Sequence, residues 1–409
     1  MRRNIMGLTH RKVTKRIRFT DSNGAQLSNR EITLSQVNHE FLFGCGAFEF
    51  VPFVAGGQEG FKGLTDSWLE IFNYATLPFY WGRYEPEEGK TGRDELMKTA
   101  QFLKEKGVRV KGHPLCWHTA CADWLMKYDN ATIMQKQLER IDREVTGFKD
   151  VIDMWDVINE VVIMPVFDKY DNAITRICQE KGRVRLIKEV FDKAHECNPE
   201  AVLLLNDFNT SINYQILIDG CLNAGVPISA IGIQSHQHQG YWGREKLEEV
   251  LERFSVFGLP IHFTENTLIS GEIMPGHIVD LNDWQVENWP TTDEGETRQA
   301  KEIEEMYRIL FDHPLVQAIT TWDFKDGAWL KAPSGFVRED GSRKPSYNML
   351  KELIKKEWWT DTTVRTDENG WATVEAFKGD YHISSGNEDA DIVLNNDNET
   401  KIMLRRKNG

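Results

Sequence analysis

The feature that most constrains the fold of this chain is a rhythm. Eight short apolar runs, "FGCGAF", "IFNYATLPFY", "VRVKGHPLCW", "VIDMWDVINE", "AVLLLND", "ISAIGIQS", "LPIHFTE" and "VQAITTWDF", alternate with amphipathic stretches near residues 62–71, 94–106, 131–147, 181–196, 211–223, 243–255, 297–312 and 344–356. Near-continuous apolar strands imply a parallel sheet covered by helices. Eight strand–helix repeats over about 315 residues fit an α/β fold of the (β/α)8 TIM-barrel type. A doubly wound sheet uses the same units, and periodicity alone does not exclude it.

The two ends of the chain have a different texture, short alternating runs around the turn signals "DSNG", "DENG" and "KGDY". A two-stranded unit is marginal alone. Residues 11–42 and 360–406 are therefore expected to pair into one small, discontinuous, sandwich-like antiparallel β domain, with the barrel, residues 43–359, inserted between its halves.

Charge narrows the partners. With 63 acidic against 49 basic residues the formal charge is -14, which repels nucleic acid and anionic membranes. Only the stretch from Arg2 to Arg18 is basic. The six cysteines form no CxxC pair and read as free, mostly buried thiols. No apolar stretch approaches the roughly 20 residues of a membrane span. The start, "MRRNIMGLTHRK", lacks the apolar region of a signal peptide. A signal peptide already removed would leave the same absence, and the chain is expected to be secreted or periplasmic as a longer precursor.

In a barrel the active site is built at the C-terminal ends of the strands, and polar residues gather there in this sequence. Lys111 and His113, with Trp117 and His118, follow the third run; Asn159 and Glu160 follow the fourth; Asn206 and Asp207 the fifth. Gln234, His236 and His238 end the sixth, Glu265 the seventh, and Trp322 and Asp323, with Lys325 and Trp329, the eighth. Glu160 and Glu265 suit a pair in which one carboxylic acid protonates a leaving oxygen while the other carboxylate attacks the adjacent carbon. Asn159 is placed to bond a substrate hydroxyl, His236 to orient Glu265, and the tryptophans to face sugar rings. Strict alternation puts Asp156 on the face of Glu160 and Asp153 on the other. Asp156 then reads as a buried support. "SHQHQ" and "CWHTAC" lack the usual structural-zinc spacing, and neither GxGxxG nor GxxxxGK[ST] occurs in its required setting. No metal and no cofactor are expected.

Six motifs in order, "VKGHPLCWH", "WDVINE", "LNDFN", "IGIQSHQH", "PIHFTE" and "TTWDFKDGAWL", resemble glycoside hydrolase family 10, the endo-β-1,4-xylanases, over roughly residues 40–356. The resemblance implies Glu160 as acid/base and Glu265 as nucleophile of a retaining mechanism. It implies Asn159, His118, Gln234 and His236 around the sugar on the non-reducing side of the cleaved bond, walled by Trp322 and Trp329. Trp117 and Tyr80 join these substrate contacts, and Asp156, Asn206, Asp207 and His113 act as supports. The implied partner is a β-linked polysaccharide or oligosaccharide, xylan above all.

Two departures bear on specificity. The family's "ENxxKW"-like segment after the second strand is here "ATLPFYWGRYEPEEG", with Tyr80 and Trp81 in place of Lys-Trp, and "IVDLNDWQVENWPTTDEGE" lengthens the segment after Glu265. Another β-glycan, decorated xylan or short oligosaccharides is the alternative substrate. A non-catalytic carbohydrate-binding protein is the alternative class, disfavoured because binding alone needs no paired acid and nucleophile.

Overall fold

The computed structural model describes residues 8–396 and 401–406. Residues 2–7 of the basic stretch and residues 397–400 of the C-terminal β segment lie outside the described residues. Contacts divide the chain into two compact units, one made of the described residues up to Leu42 with those from Met349 onward, the other Phe43–Asn348. The second boundary therefore falls earlier than residue 360.

In the first unit, β1 (Lys12–Thr20) and β2 (Glu31–His39) come from the N-terminal end. The later strands are β11 (Asp361–Arg365), β12 (Trp371–Phe377), β13 (Gly379–Ser385), β14 (Glu388–Leu394), β15 (Lys401–Met403) and β16 (Arg405–Arg406). They form two sheets, β12-β1-β15 and β11-β2-β13-β14-β16, so each sheet takes strands from both ends of the chain. One core joins them, with Ile17, Phe19, Ile32 and Leu34 packed among Val374, Tyr381 and Ile383. Alternation along β12, where Ala372, Val374 and Ala376 are buried and Thr373 and Glu375 exposed, is what a half-solvated strand requires. The expected all-antiparallel pairing is corrected at one place: β15 runs parallel to β1 over Arg18–Thr20.

The second unit is a closed barrel in the order β10-β3-β4-β5-β6-β7-β8-β9. Its strands are β3 (Leu42–Gly46), β4 (Tyr74–Pro78), β5 (Arg109–His113), β6 (Met154–Asn159), β7 (Val202–Asp207), β8 (Ala230–Gln237), β9 (Ile261–Leu268) and β10 (Val316–Thr321). Every residue of β6 and β9 is buried, as expected of strands covered on both faces. The covering helices bury one stripe each. In Asn130–Phe148, Ile133, Ile141, Val145 and Phe148 face inward, and the Asp129 carboxylate caps the first turn by accepting the Thr132 N–H at 2.8 Å.

Two irregularities decide how the mouth is built. Asp156 pairs with Leu204, but Ile158 pairs with Leu205 and Asn159 with Asn206, so β6 carries one extra residue against β7. Ile233 pairs with Phe263 but Gln234 with Glu265, so β9 carries one extra residue against β8. These are β-bulges, which re-aim the side chains beyond them. They correct the strict-alternation reading: Asp156 and Asn159, three residues apart, both lie opposite inward-facing positions of β7. Glu160 stands just past the strand with φ 57°.

Candidate active site

Glu160 and Glu265 face one mouth and are joined by amides. Asn206 Nδ2 donates to Asn159 Oδ1 at 2.8 Å and to Glu265 Oε1 at 2.9 Å. Its own Oδ1 accepts from Thr264 Oγ1 at 2.6 Å, which fixes the amide's orientation. Gln234 Nε2 donates to Asn159 Oδ1 at 3.0 Å and Glu160 Oε1 at 3.2 Å, and Asn159 Nδ2 reaches the same Glu160 oxygen at 3.3 Å. Trp117 Nε1 donates to the other Glu160 oxygen at 2.9 Å. Satisfied donors and acceptors of this kind hold a buried polar network in one arrangement.

The two carboxyls are pushed in opposite directions. Burial, then the negative charge of Glu265 and that of Asp207, raise Glu160 to about 8 against the hydrogen bonds from Trp117 and Gln234. Burial also works against ionisation of Glu265, but His113, the hydrogen bond and charge of His236, and Lys111 outweigh it and hold Glu265 below the usual carboxylate range. His236 Nε2 lies 3.0 Å from Glu265 Oε2, and His113 Nδ1 lies 3.9 Å from Oε1. Beneath them Asp156, fully buried, pairs with Lys111 at 2.7 Å and accepts from His113 at 2.7 Å. Burial opposes the charge on Asp156, and Lys111 and His113 keep it ionised. Asp207, raised by burial to about 6, accepts the N–H groups of Val162 and Asn209 at 2.9 Å each.

Aromatic rings wall the mouth. Tyr80 lies 5.7 Å from both His113 and Trp117 between ring centroids, Trp322 5.3 Å from His113 and 5.8 Å from His236, and Trp329 4.6 Å from His236. Tyr80, Trp117 and Trp329 remain half-buried, leaving ring surface open to a ligand.

The chain matches the model of glycosyl hydrolase family 10 over residues 78–353, about two thirds of its length. The chain belongs to this family. It is 27% identical over 287 residues to an endo-1,4-beta-xylanase/feruloyl esterase of Xylanibacter ruminicola, a match covering 63% of this chain and 39% of that protein. It is 23% identical over 385 residues to an anti-sigma-I factor of Acetivibrio thermocellus, covering 91% of this chain and 45% of that protein. The chain thus spans less than half the length of these two curated relatives. Among solved structures, a family 10 protein from Paenibacillus barcinonensis superposes with a TM-score of 0.64 at 22% identity, covering 77% of this chain and 95% of that one, a likeness that shows the fold.

Within this family 10 barrel, the structure brings together most of the residues singled out in the sequence: Glu160, Glu265, Asn159, Asn206, Gln234, His236, His113, Asp156, Tyr80, Trp117, Trp322 and Trp329. His118 is a correction. Its ring is buried against Phe167 at 4.6 Å and Trp117 at 6.3 Å, and burial lowers it to about 4. The chain turns at Pro114 after β5, so His113 faces the carboxyls and His118 packs behind Trp117. Trp81 likewise turns away, donating to Glu85 at 3.0 Å.

Thr264 and Gly232 escaped the sequence reading. A Cβ at Gly232 would sit 2.3 Å from Asn206 Oδ1, so only glycine admits that amide. Glycine inside the apolar run "AIGIQS" was the available signal. Among the described residues no cluster of side chains offers a metal site, and no helix is long and apolar enough to cross a membrane.

The lengthened segment after β9 forms part of the rim. Ile269, Met274, Trp289 and Ala332 make a small core of its own. Gln239 Nε2 donates to the carbonyls of Pro275 and Ile278 at 3.1 and 2.7 Å. Lys169, in the segment after β6, pairs with Asp280 at 2.6 Å and Asp283 at 2.7 Å. The rim is thereby tied from β9 to β6 on the side of β7 and β8.

Proposed function

We propose that this chain is a retaining glycoside hydrolase that cleaves internal β-1,4-xylosidic bonds of xylan. The observation that carries the reading is the opposed electrostatics of two carboxyls sharing one mouth, Glu160 held protonated and Glu265 held ionised. Glu265 attacks the anomeric carbon and forms a glycosyl ester as the C–O bond to the leaving sugar breaks and Glu160 passes its proton to that oxygen. Ester formation removes the negative charge of Glu265, so the proton affinity of Glu160 falls and its carboxylate takes a proton from water. The hydroxide so formed attacks the same carbon, releasing Glu265 with net retention. Asn159, held by Asn206 and Gln234, is the donor for a hydroxyl of the attacked sugar, and Trp322 and Trp329 are its walls.

Hydrolysis of xylan, arabinoxylan, mixed-linkage glucan and xylo-oligosaccharides, with NMR of the first-formed anomer, tests the reading. β-Xylo-oligosaccharides released first from xylan are expected; an α-anomer as first product, or no turnover of any xylose polymer, would sink it.

A second substrate reading, another β-glycan or short oligosaccharides, is favoured by the end of β4. There the aromatic ring of Tyr80 stands over His113 and Trp117, Trp81 faces away, and the lysine and amide donors usual in the family's segment are absent. Preferred turnover of glucan or of xylotriose over polymer in the same panel would select it.

A further inference from the structure

We propose that Arg183 is a positioning residue for the acid/base, acting through the backbone that follows Glu160; this rests on the role proposed for Glu160 above. Glu160 adopts a left-handed φ of 57°, a conformation unfavourable for a side chain with a Cβ and kept only where its surroundings over-determine it.

Three contacts supply that determination. The Glu160 N–H donates to the Asn206 carbonyl at 2.9 Å. The N–H of Val162 ends on the Asp207 carboxylate, which also accepts from Val161. The carbonyls point the other way, to Arg183: Nε donates to Val161 at 3.2 Å and to Val162 at 3.1 Å, and Nη2 to Val162 at 2.7 Å. The Val161–Val162 peptide unit therefore lies between an anion at its N–H end and a cation at its C=O end, while the unit before it is held by Asp207 at its N–H and the unit after it by Arg183 at its C=O. The dipole of that unit is aligned with both charges.

The guanidinium suits this task. Its planar fork holds two successive carbonyls at fixed angles, which a single ammonium does not. Arg183 is brought there by Gly182, whose φ of 79° breaks the chain between the helix Ala173–Lys181 and the helix Arg183–Cys197 and makes Arg183 the first residue of the second. The amphipathic stretch read from the sequence begins at residue 181 and leaves the helix before Gly182 unassigned.

The test compares Arg183→Ala and Arg183→Lys with wild type in the full chain, on xylotetraose and on 2,4-dinitrophenyl β-xylobioside. Xylotetraose needs a proton on its leaving oxygen; dinitrophenolate leaves without one. For Arg183→Ala, kcat/KM on xylotetraose is expected to fall about 10- to 100-fold, while that on the aryl glycoside falls less than about 3-fold, since sub-ångström placement matters only where Glu160 acts in the step. The alkaline limb of the xylotetraose pH profile is expected to move to lower pH as the carboxyl becomes better solvated, with Arg183→Lys between the two.

Equal losses on both substrates, or no loss on either, at an unchanged melting temperature would overturn the proposal. If the alanine variant fails to fold, Arg183→Lys and Arg183→Gln carry the same comparison. Inactivity of the wild type on both substrates counts against the hydrolase reading instead.

Discussion

The ends of β6 and β9 present the same functional group to the same cavity and treat it oppositely. Glu265 lies within its strand, with His236 and His113 at its oxygens and Lys111 below. Glu160 lies past its strand, half-buried, with neutral donors at its oxygens and two carboxylates as its electrostatic neighbours. Chemical identity thus says little about protonation. The position of cations decides it: Lys111 and His113 of β5 and His236 of β8 all act on Glu265.

The most severe way to break this contrast is to remove each carboxyl in turn. Glu265→Ala is expected to lower kcat on every glycoside by on the order of 10^4-fold or more, because no other group forms the covalent intermediate. Glu160→Ala is expected to lower kcat/KM on xylo-oligosaccharides by about 10^2- to 10^4-fold while sparing the first step with a dinitrophenyl leaving group. Steady-state and burst kinetics on both substrates check the pair; similar losses for the two variants on the activated substrate would erase the distinction.

The contrast is sharpened by pH. The proposed mechanism needs Glu160 protonated and Glu265 ionised in the free protein, so kcat/KM is expected to fall above about 8, where Glu160 loses its proton, and again on the acid side below the usual carboxylate range. His236→Asn removes a hydrogen bond and a charge that favour ionised Glu265, so its acid limb is expected at higher pH with the alkaline limb little changed.

The smallest effect is on stability. Glu160 has its folded-state value raised, so the folded protein binds that proton more tightly than the unfolded chain. The resulting stabilisation is full below about 4.5 and is lost as pH rises through about 8. Glu160→Gln remains neutral throughout. Relative to wild type it is expected to gain about 1–2 kcal/mol between acid and alkaline pH, a figure reduced for the partial exposure of the group, as measured by denaturant unfolding at pH 4 and pH 9. A gain equally large at pH 4 would show that charge is not its source.

Much of this was legible in the sequence because the two scales that set it are local. Apolar runs located all eight barrel strands, and the strand-end rule located Glu160, Asn159 and Glu265 among them. What stayed hidden depends on offsets of a single residue. Nothing in "VIDMWDVINE" announces the extra residue that turns both Asp156 and Asn159 inward, and nothing in "HPLCWH" announces which histidine follows the strand and which follows the turn. The helix Ala173–Lys181 was missed because it is short and broken from its neighbour by Gly182.

The extra residue in β6 has a consequence for how this mouth tolerates change. A regular ladder fastens each residue to the one beside it, so shortening the strand by one would drag everything downstream to the opposite side of the wall. Here the irregularity works as a slip joint between a lower tier, where Asp156 is seated, and an upper tier, where Asn159 and Glu160 stand at the open mouth. The foundation under His113 and the reactive lip above it are cut from one strand yet indexed separately, and the same division recurs in β9 between His262 and Glu265.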